Sequence, residues 1–223
     1  MLDSLFSKFD NIIVLDTETT GLNHRTAEII ELAMLRITPE GCVKQYDEFI
    51  KLSEGRRLAP EITELTGISE EMLITQGVSK ASAAAALAEM LALPKALVVA
   101  YNTQFDIGFL YYLLLSNDKA DVLQNIKLFD AMTVYKDRHP FPHKLCNAIE
   151  TYKLSGENTH RAIDDTLATY ELLCAMGREE DDLDRYINLF GYNPKYGVSG
   201  QRVRSVTYIP QGYHNTEKLY NKL

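Results

Sequence analysis

Two acidic residues, Asp16 and Glu18, follow the short apolar stretch Asn11–Leu15. Alternation along a strand places both carboxylates on one face and Thr17 on the other. Two carboxylates about 7 Å apart along a strand repel each other unless a positive charge lies between them, and Mg²⁺ prefers such hard oxygen ligands. The pair therefore favours a divalent metal site, although two solvated acids in a loop would produce the same pattern.

A third acid, Asp106, lies at the start of an apolar helix expected over residues 104–115, directly after a strand expected over 97–101. The helix dipole stabilises an acid in the first turn whether or not the acid binds metal, and Asn102 or Thr103 could cap the helix. In open α/β sheets, ligand sites assemble at the carboxyl ends of strands. Asp16 and Asp106 both occupy such ends, so we expect them to lie close together.

The adjacent acids Asp164 and Asp165 fall on different faces of a helix expected over 161–176. Asp164 shares a stripe with Arg161, which predicts that it points outward and pairs with that residue. Asp165 shares its face with small and apolar residues, so it points inward and requires a partner, for which a metal ion is the natural candidate. His160 is more often a surface or core residue in isolation, but beside a metal cluster its pKa suits a general base.

The surrounding pattern predicts an α/β fold. Strand-like segments over 11–15, 28–37 and 42–50 indicate an antiparallel meander, and strands over 97–101 and 126–129 alternate with helices. A helix is expected over 79–93, with Ser79 as N-cap and Pro94 ending it, and residues 131–190 are expected to be helical with loops around 140–142 and 155–159. We therefore expect a mixed β-sheet flanked by helices.

Composition excludes several classes of protein. The chain has 223 residues, of which 46% are hydrophobic and 24% charged, which fits one globular domain with an appendage. Three widely spaced cysteines predict neither a disulfide framework nor a zinc site, and no signal peptide or membrane span is expected. We therefore expect a cytoplasmic protein with reduced thiols and no membrane partner.

The net charge of −8 argues against holding nucleic acid by bulk electrostatics. It is unevenly distributed, because residues 191–223 carry five basic residues and one acidic residue, leaving −12 on the rest. This segment also holds five of the 13 tyrosines and one candidate strand over 202–209. We expect domain boundaries at 1–190 and 191–223, the second being a basic, tyrosine-rich appendage that contacts DNA or docks on the protein's own acidic surface or on a partner.

Three segments together resemble the DnaQ-like, DEDDh-type 3′–5′ exonucleases, which have an RNase H-like fold. The family motifs D-x-E-T-T-G, H-N-x-x-F-D and H-x-x-x-x-D match residues 16–21, 101–106 and 160–165, and Ile62–Ile68 is similar to the T-G-I segment. The resemblance covers about residues 10–178 and implies that two Mg²⁺ or Mn²⁺ ions are bound by Asp16, Glu18, Asp106 and Asp165, with His160 as general base.

The resemblance also implies contacts to the 3′-terminal nucleotide. The matching positions are Thr19, Gly21, Leu22, Thr66, Tyr101, Asn102 and Phe105. Tyr101 stands where the family usually has His, so we expect altered contacts to the terminal nucleotide and retained chemistry.

The expected function is release of 5′-mononucleotides from single-stranded DNA 3′ ends, in proofreading of the DNA polymerase III epsilon type or in repair. Proofreading would require a DNA polymerase subunit as partner. Trimming of RNA 3′ ends is the alternative enzyme activity. A catalytically inactive module that binds nucleic acid or a polymerase is the non-enzymatic alternative, which the five intact catalytic positions disfavour.

Overall fold

A five-stranded mixed sheet forms the centre of the molecule in the computed structural model, which describes residues 2–156, 158–213 and 217–223. Its strands are β1 (Asn11–Thr19), β2 (Ile29–Thr38), β3 (Gly41–Phe49), β4 (Ala96–Ala100) and β5 (Lys127–Asp130). The order across the sheet is β3-β2-β1-β4-β5. The first three strands are an antiparallel meander, and β1, β4 and β5 run parallel. The predicted fold class is confirmed.

The described residues also form helices on both faces of this sheet. These are α1 (Asp3–Phe6), α2 (Pro60–Thr66), α3 (Glu70–Thr75), α4 (Lys80–Leu91), α5 (Thr103–Leu115), α6 (Ala131–Arg138), α7 (Leu145–Tyr152) and α8 (Ala162–Glu179). Short 3-10 turns lie at Ala120–Leu123, Leu183–Tyr186 and Leu219–Lys222. Among the described helices, none has the length and apolarity that crossing a bilayer would require.

Alternation along β1 divides the core into two layers. Ile12 and Val14 pack with α8 on one face, whereas Ile13 and Leu15 pack with α4 and α5 on the other. All four side chains are buried, because helices cover both faces of this central strand. The carboxyl end of β1 therefore lies between helices of opposite layers, which can each supply side chains to it.

Several boundaries differ from the prediction. Helix α4 has the predicted N-cap, since the Ser79 hydroxyl accepts from the Ser82 amide, but it ends at Leu91, before Pro94. The sequence reasoning missed α2 and α3, which are too short to produce a clear helical period. The expectation of helix up to residue 190 was wrong at its end, because β6 (Leu189–Tyr192) begins there.

The C-terminal segment packs on the domain through its described residues. Strand β7 (Thr207–Pro210) pairs in parallel with β6, which spans the predicted boundary at 190. The candidate strand over 202–209 is therefore shorter and starts later than predicted. Leu219 is fully buried, so part of this segment belongs to the core. Five residues lie outside the described part of the chain. They are residue 1 in the predicted domain, residue 157 in the predicted loop over 155–159, and residues 214–216 in the predicted appendage.

Candidate active site

Glu18, His160 and Asp165 meet at the carboxyl end of β1. Each offers one ligand atom, and these atoms lie within 4.8 Å of one another. Glu18 belongs to the strand, Asp165 to the first turn of α8, and His160 to the segment just before α8. Since α8 packs on β1, the register of helix on strand brings residues 142 positions apart in sequence into one cluster.

Asp106 reaches the same strand end from the opposite layer. It is 3% exposed in the first turn of α5, and its Oδ1 accepts a hydrogen bond from the Thr17 hydroxyl at 2.7 Å. Thr17 lies between Asp16 and Glu18 and faces away from them, as the alternation predicts. One strand therefore presents two carboxylates on one face and positions a third from the other face through a hydroxyl that the sequence reasoning had not assigned a role.

The carboxylates raise one another's pKa. Burial, together with repulsion from Asp106 and Asp165, holds the pKa of Asp16 well above its ordinary value. Burial and repulsion from Asp165 raise the pKa of Glu18 to about 8. Burial raises the pKa of Asp106 to about 7, although the Thr17 hydrogen bond opposes the rise. This pattern shows that the acids lie within mutual electrostatic reach and that bound cations would stabilise their ionised forms.

Asp164 and Asp165 have the different orientations that the helical wheel predicts. Asp165 is 7% exposed, and its Oδ2 accepts from the Asn158 amide at 2.6 Å, whereas its buried Oδ1 has no hydrogen-bond partner among the described residues. Burial raises the pKa of Asp165 to about 6, which the Asn158 hydrogen bond opposes. Asp164 accepts from the Thr159 hydroxyl instead and lies farther out.

The expected pairing of Asp164 with Arg161 was wrong, because Arg161 pairs with Glu31. The Arg161 guanidinium donates to Glu31 Oε1 from Nη2 at 2.7 Å and from Nε at 3.0 Å, and Glu31 is fully buried. The other carboxylate oxygen of Glu31 accepts from the Ala162 amide at 2.9 Å, at the start of α8. Glu31 stands directly opposite Glu18 in the β1–β2 ladder, so it holds the start of α8 beside the acidic cluster.

His160 is held in an unusual backbone conformation at this point. Its φ is +58°, a left-handed value that is uncommon for residues other than glycine, although histidine adopts it more readily than most, as Asn and Asp do. The side chain is exposed at the rim of the cluster, whereas the following residue is tied to Glu31. Backbone strain of this kind persists only where the surroundings enforce it, and here the ion pair and the start of α8 do so.

The start of α5 is capped by Asp130 and not by Asn102 or Thr103. Asp130 Oδ1 accepts from the amides of Asn102 at 2.9 Å and Thr103 at 3.2 Å, and it is buried at the end of β5. Asn102 makes no side-chain cap and adopts a left-handed φ of +69°. Its exposed side chain is therefore free to face a ligand at the carboxyl end of β4.

The other predicted nucleotide contacts lie in different environments. Leu22 is 86% exposed, and Phe105 is half-buried with its ring centroid 5.0 Å from that of Phe109. Thr19 is buried and donates to the Gly21 carbonyl at 2.8 Å. Leu22 follows Glu18 by four residues and Phe105 adjoins Asp106 in sequence, and both side chains expose apolar surface.

Thr66 and Tyr101 direct their hydroxyls into the protein. Thr66 donates to the Ile62 carbonyl and accepts from the Ile68 amide, which shapes the turn after α2. Tyr101 donates to the His143 carbonyl at 2.7 Å. The Tyr101 hydroxyl, which stands where the family has a histidine nitrogen, therefore binds the 139–143 loop. A contact between Tyr101 and a nucleotide stays a prediction, and it would have to be made by the ring.

The donor set fits Mg²⁺ or Mn²⁺. Asp16, Glu18, Asp106 and Asp165 supply hard oxygen atoms, and Asp165 contributes a buried oxygen without a hydrogen-bond partner among the described residues. A polar atom in that position requires a partner, and a divalent cation provides one while offsetting the repulsion within the cluster. The three cysteines are unpaired and distributed elsewhere, so they do not compete for this role.

Comparison with known proteins agrees with this geometry. Residues 13–173 match the family model RNase_T, described as exonuclease. The chain is 33% identical over 193 residues to the PolC-type DNA polymerase III of Latilactobacillus sakei, and 32% identical over 173 residues to that of Thermotoga petrophila. These matches cover 83% and 74% of the chain but only 12% of each relative. The chain therefore corresponds to a small part of these polymerases.

Solved structures support the same fold. Exonuclease I of E. coli in complex with a dA16 oligonucleotide has a TM-score of 0.72 and 19% sequence identity, covering 79% of this chain and 42% of that one. Another exonuclease I structure also has a TM-score of 0.72 at 19% identity, covering 79% and 43%. At this identity the similarity concerns the fold, which positions the strand ends and helices described above.

Proposed function

Because the chain belongs to the exonuclease family of DnaQ type, we propose that it removes nucleotides one at a time from the 3′ end of single-stranded DNA and releases 5′-mononucleotides. The observation that carries this proposal is the convergence of Asp16, Glu18, Asp106 and Asp165 beside His160 at one strand end. Four carboxylates in so small a volume have little structural value, since they repel one another. They have a clear use as ligands of cations that bind a phosphodiester.

The residues of the site divide the chemistry between them. The four carboxylates would hold two Mg²⁺ or Mn²⁺ ions, which supply Lewis acidity and offset the negative charge of the reacting phosphate. His160 takes the proton from the water that attacks phosphorus, and its exposed position lets the proton pass on to solvent. Glu31 and Arg161 keep this histidine and the start of α8 in place.

The surroundings of the cluster suit a strand end. Leu22 and Phe105 offer exposed or half-buried apolar surface against which a terminal base and sugar can pack, and Asn102 offers a free amide. The cluster itself is negatively charged, so a phosphate can approach it only when cations are bound. The site therefore engages a 3′ end weakly and depends on metal for that engagement.

DNA is the substrate that the relatives favour. The similar polymerases are named for DNA synthesis, and the structural neighbour was solved with a deoxyoligonucleotide. We propose that this chain serves proofreading or repair alongside a DNA polymerase. The choice between DNA and RNA rests on the sugar contacts, so it needs a direct test.

The test uses one 12-nucleotide sequence made as DNA and as RNA, each labelled at the 5′ end, incubated with the purified protein and Mg²⁺ or Mn²⁺. We expect a ladder of products shortened from the 3′ end of the DNA, with mononucleotides released and no shortening in EDTA. A strand with a blocked 3′ end serves as the matched control and should stay intact. A ladder from RNA alone would transfer the proposal to RNA trimming, and intact strands of both kinds would refute it.

A further inference from the structure

Residues 193–204, within the segment that joins β6 to β7, carry three cationic side chains; we call this stretch the basic loop. Lys195, Arg202 and Arg204 are all exposed. Within the described residues, none of the three forms an ion pair with a carboxylate. In a chain with a net charge of −8, three such cations on one loop indicate a surface for an anionic ligand.

The basic loop is attached directly to the second sequence motif. The Gln104 side-chain amide donates to the carbonyls of Ser199 at 2.9 Å and Gln201 at 2.8 Å. The Tyr208 hydroxyl donates to Gln104 Oε1 at 2.6 Å and accepts from the Val203 amide at 2.9 Å. Because Gln104 lies between Asn102 and Phe105 in sequence, these bonds place the loop beside the residues proposed to contact the terminal nucleotide.

His24 joins the basic loop to the segment that follows β1. A Cβ atom on Gly200 would lie 2.7 Å from the His24 ring, and one on Gly108 would lie 3.3 Å from it, so two glycines make room for the imidazole. The ring also stacks on Tyr112 of α5 with centroids 5.5 Å apart. The loop is thus in contact both with α5 and with the segment that contains Leu22.

A cavity of about 280 Å³ lies between the basic loop and α5. Its lining includes the aromatic residues His24, Tyr111 and Tyr112 together with Arg202 and Arg204. Tyr111 is seven residues beyond Gln104, which corresponds to about 10 Å along the helix. Aromatic and guanidinium side chains lining one cavity suit a nucleobase and its phosphate.

The end of the C-terminal segment uses its charge differently. Lys218 Nζ lies 2.6 Å from Glu180 Oε2, and the Tyr220 hydroxyl donates to Asp182 at 2.6 Å. These contacts dock the end on the protein's own acidic surface, which was one of the two roles expected for the segment. Among the described residues, the cations of the basic loop have no carboxylate partner; instead Lys195 lies over the Tyr196 ring at 5.1 Å and Arg202 over the Tyr208 ring at 5.2 Å, and Tyr196 is 72% exposed.

We propose that the basic loop and the cavity beneath it bind the nucleotides that precede the 3′ terminus of a single-stranded nucleic acid. The proposal rests on the proposed function for the position of the terminus. Lys195, Arg202 and Arg204 contact phosphates, and exposed tyrosine rings stack on bases. The family match ends at residue 173, so the basic loop itself lies outside the matched region, whereas His24, Tyr111 and Tyr112 lie inside it.

The test measures binding of a 5′-fluorescein 12-mer of thymidylate by anisotropy over a series of KCl concentrations. Ca²⁺ replaces Mg²⁺ because it binds carboxylate oxygens and limits hydrolysis, and gels verify that the strand stays intact. Affinity for the mononucleotide 5′-thymidine monophosphate, which occupies only the terminal position, is measured by competition. The variant is Arg202→Gln/Arg204→Gln, and the matched control is Lys95→Gln/Lys222→Gln, which removes the same charge from exposed positions outside the basic loop.

The Arg202→Gln/Arg204→Gln variant should weaken 12-mer binding at least fivefold. It should also make the slope of log affinity against log salt shallower by about 1.4, since each lost contact to a single strand removes about 0.7. The affinity for 5′-thymidine monophosphate should change less than twofold, and the control variant should match wild type. Tyr196→Ala should weaken 12-mer binding by a similar factor without altering the salt slope.

An unchanged 12-mer affinity and slope would overturn the proposal and leave the basic loop for a protein partner. An equal loss for 5′-thymidine monophosphate, or an equal loss in the control, would also overturn it, because the effect would then be one of overall charge. A 12-mer of uridylate run in parallel separates sugar preference from backbone binding. Failure of the proposed function would be visible separately, as absence of mononucleotide release by the wild-type protein in Mn²⁺.

Discussion

Replacing Asp165 and Asp164 separately by asparagine tests whether the orientation of an aspartate on α8 decides its role, because both variants make the same chemical change at adjacent positions. The two acids are adjacent, but Asp165 is 7% exposed in the acidic cluster, whereas Asp164 lies farther out and accepts from the Thr159 hydroxyl. Asp165→Asn removes a proposed metal ligand, and even partners behind such ligands cost about 10–100-fold when lost. We therefore expect Asp165→Asn to lower kcat/KM at least about 100-fold and Asp164→Asn to change it less than about threefold.

The Asp165→Asn substitution should raise the free energy of unfolding when metal is absent. Burial raises the pKa of Asp165 from 3.8 to about 6, so its ionised form is disfavoured in the fold at pH 8. A rise of about 2 units corresponds to about 3 kcal/mol at most. For a chain of this size, that amounts to a melting temperature higher by up to about 6–12 °C. Asp164→Asn should change stability by less than about 0.5 kcal/mol.

The assay combines melting curves in EDTA at pH 8 with initial rates on a 5′-labelled single strand in Mn²⁺. Wild type should gain stability on adding Mn²⁺, and Asp165→Asn should gain less. An inactive Asp164→Asn enzyme beside an active Asp165→Asn enzyme would refute the assignment by helix face. A metal-free Asp165→Asn protein that melts below wild type would refute the electrostatic reasoning.

Three further perturbations test neighbouring parts of the site. In EDTA, the free energy of unfolding should fall as pH rises from about 4 to about 8, because carboxyls of the unfolded chain ionise near pH 4 whereas the pKa values of Asp106 and Glu18 in the fold are about 7 and about 8. Saturating Mg²⁺ should reduce this fall. Melting curves that do not change with pH would count against the prediction. Thr17→Val removes a hydrogen bond that lowers the pKa of Asp106, so the acidic limb of the pH–rate profile should shift to higher pH. An acidic limb at the wild-type pH would contradict this. Arg161→Ala leaves Glu31 buried without its guanidinium and should cost about 2 kcal/mol or more in urea unfolding, whereas Arg161→Lys should restore part of the loss.

Much of the fold and of the acidic cluster could be predicted from local patterns. The apolar run before Asp16 identified the first strand, and alternation placed Asp16 and Glu18 on one face. The helical wheel distinguished Asp165 from Asp164, because burial of one helix face follows directly from its apolar residues. The mixed sheet followed from the antiparallel meander and the later strand–helix alternation, whereas the sequence did not predict that β4 would pair beside β1.

The features that could not be predicted from the sequence depend on contacts between distant segments. Glu31 pairs with Arg161 across 130 positions, and Asp130 caps a helix that begins 27 residues earlier. A signal for Glu31 was present, since a charged residue inside the apolar strand 29–35 requires a buried partner. No comparable local signal identified the partner, because Arg161 was equally well placed to pair with Asp164 along its own helix.

The C-terminal segment was the least predictable from its composition. Five basic residues and five tyrosines suggested one role for the whole segment, but the described residues divide it in two. Lys218 and Tyr220 contact the protein's own acids, whereas the basic loop is attached to α5 and its cations form no ion pair with a carboxylate of the described residues. Charge counting cannot separate these roles, because they depend on which surface each part of the chain meets.

Crystals of the wild-type protein grown with Mn²⁺ test the central claim most directly, through anomalous scattering at the manganese edge. The claim is that Asp16, Glu18, Asp106 and Asp165 exist to hold two divalent ions at one strand end. We predict two anomalous peaks contacted by oxygen atoms of these four side chains, and loss of at least one peak in Asp165→Asn crystals. Absence of manganese from this cluster at saturating concentration, with the ions bound elsewhere or not at all, would contradict the account.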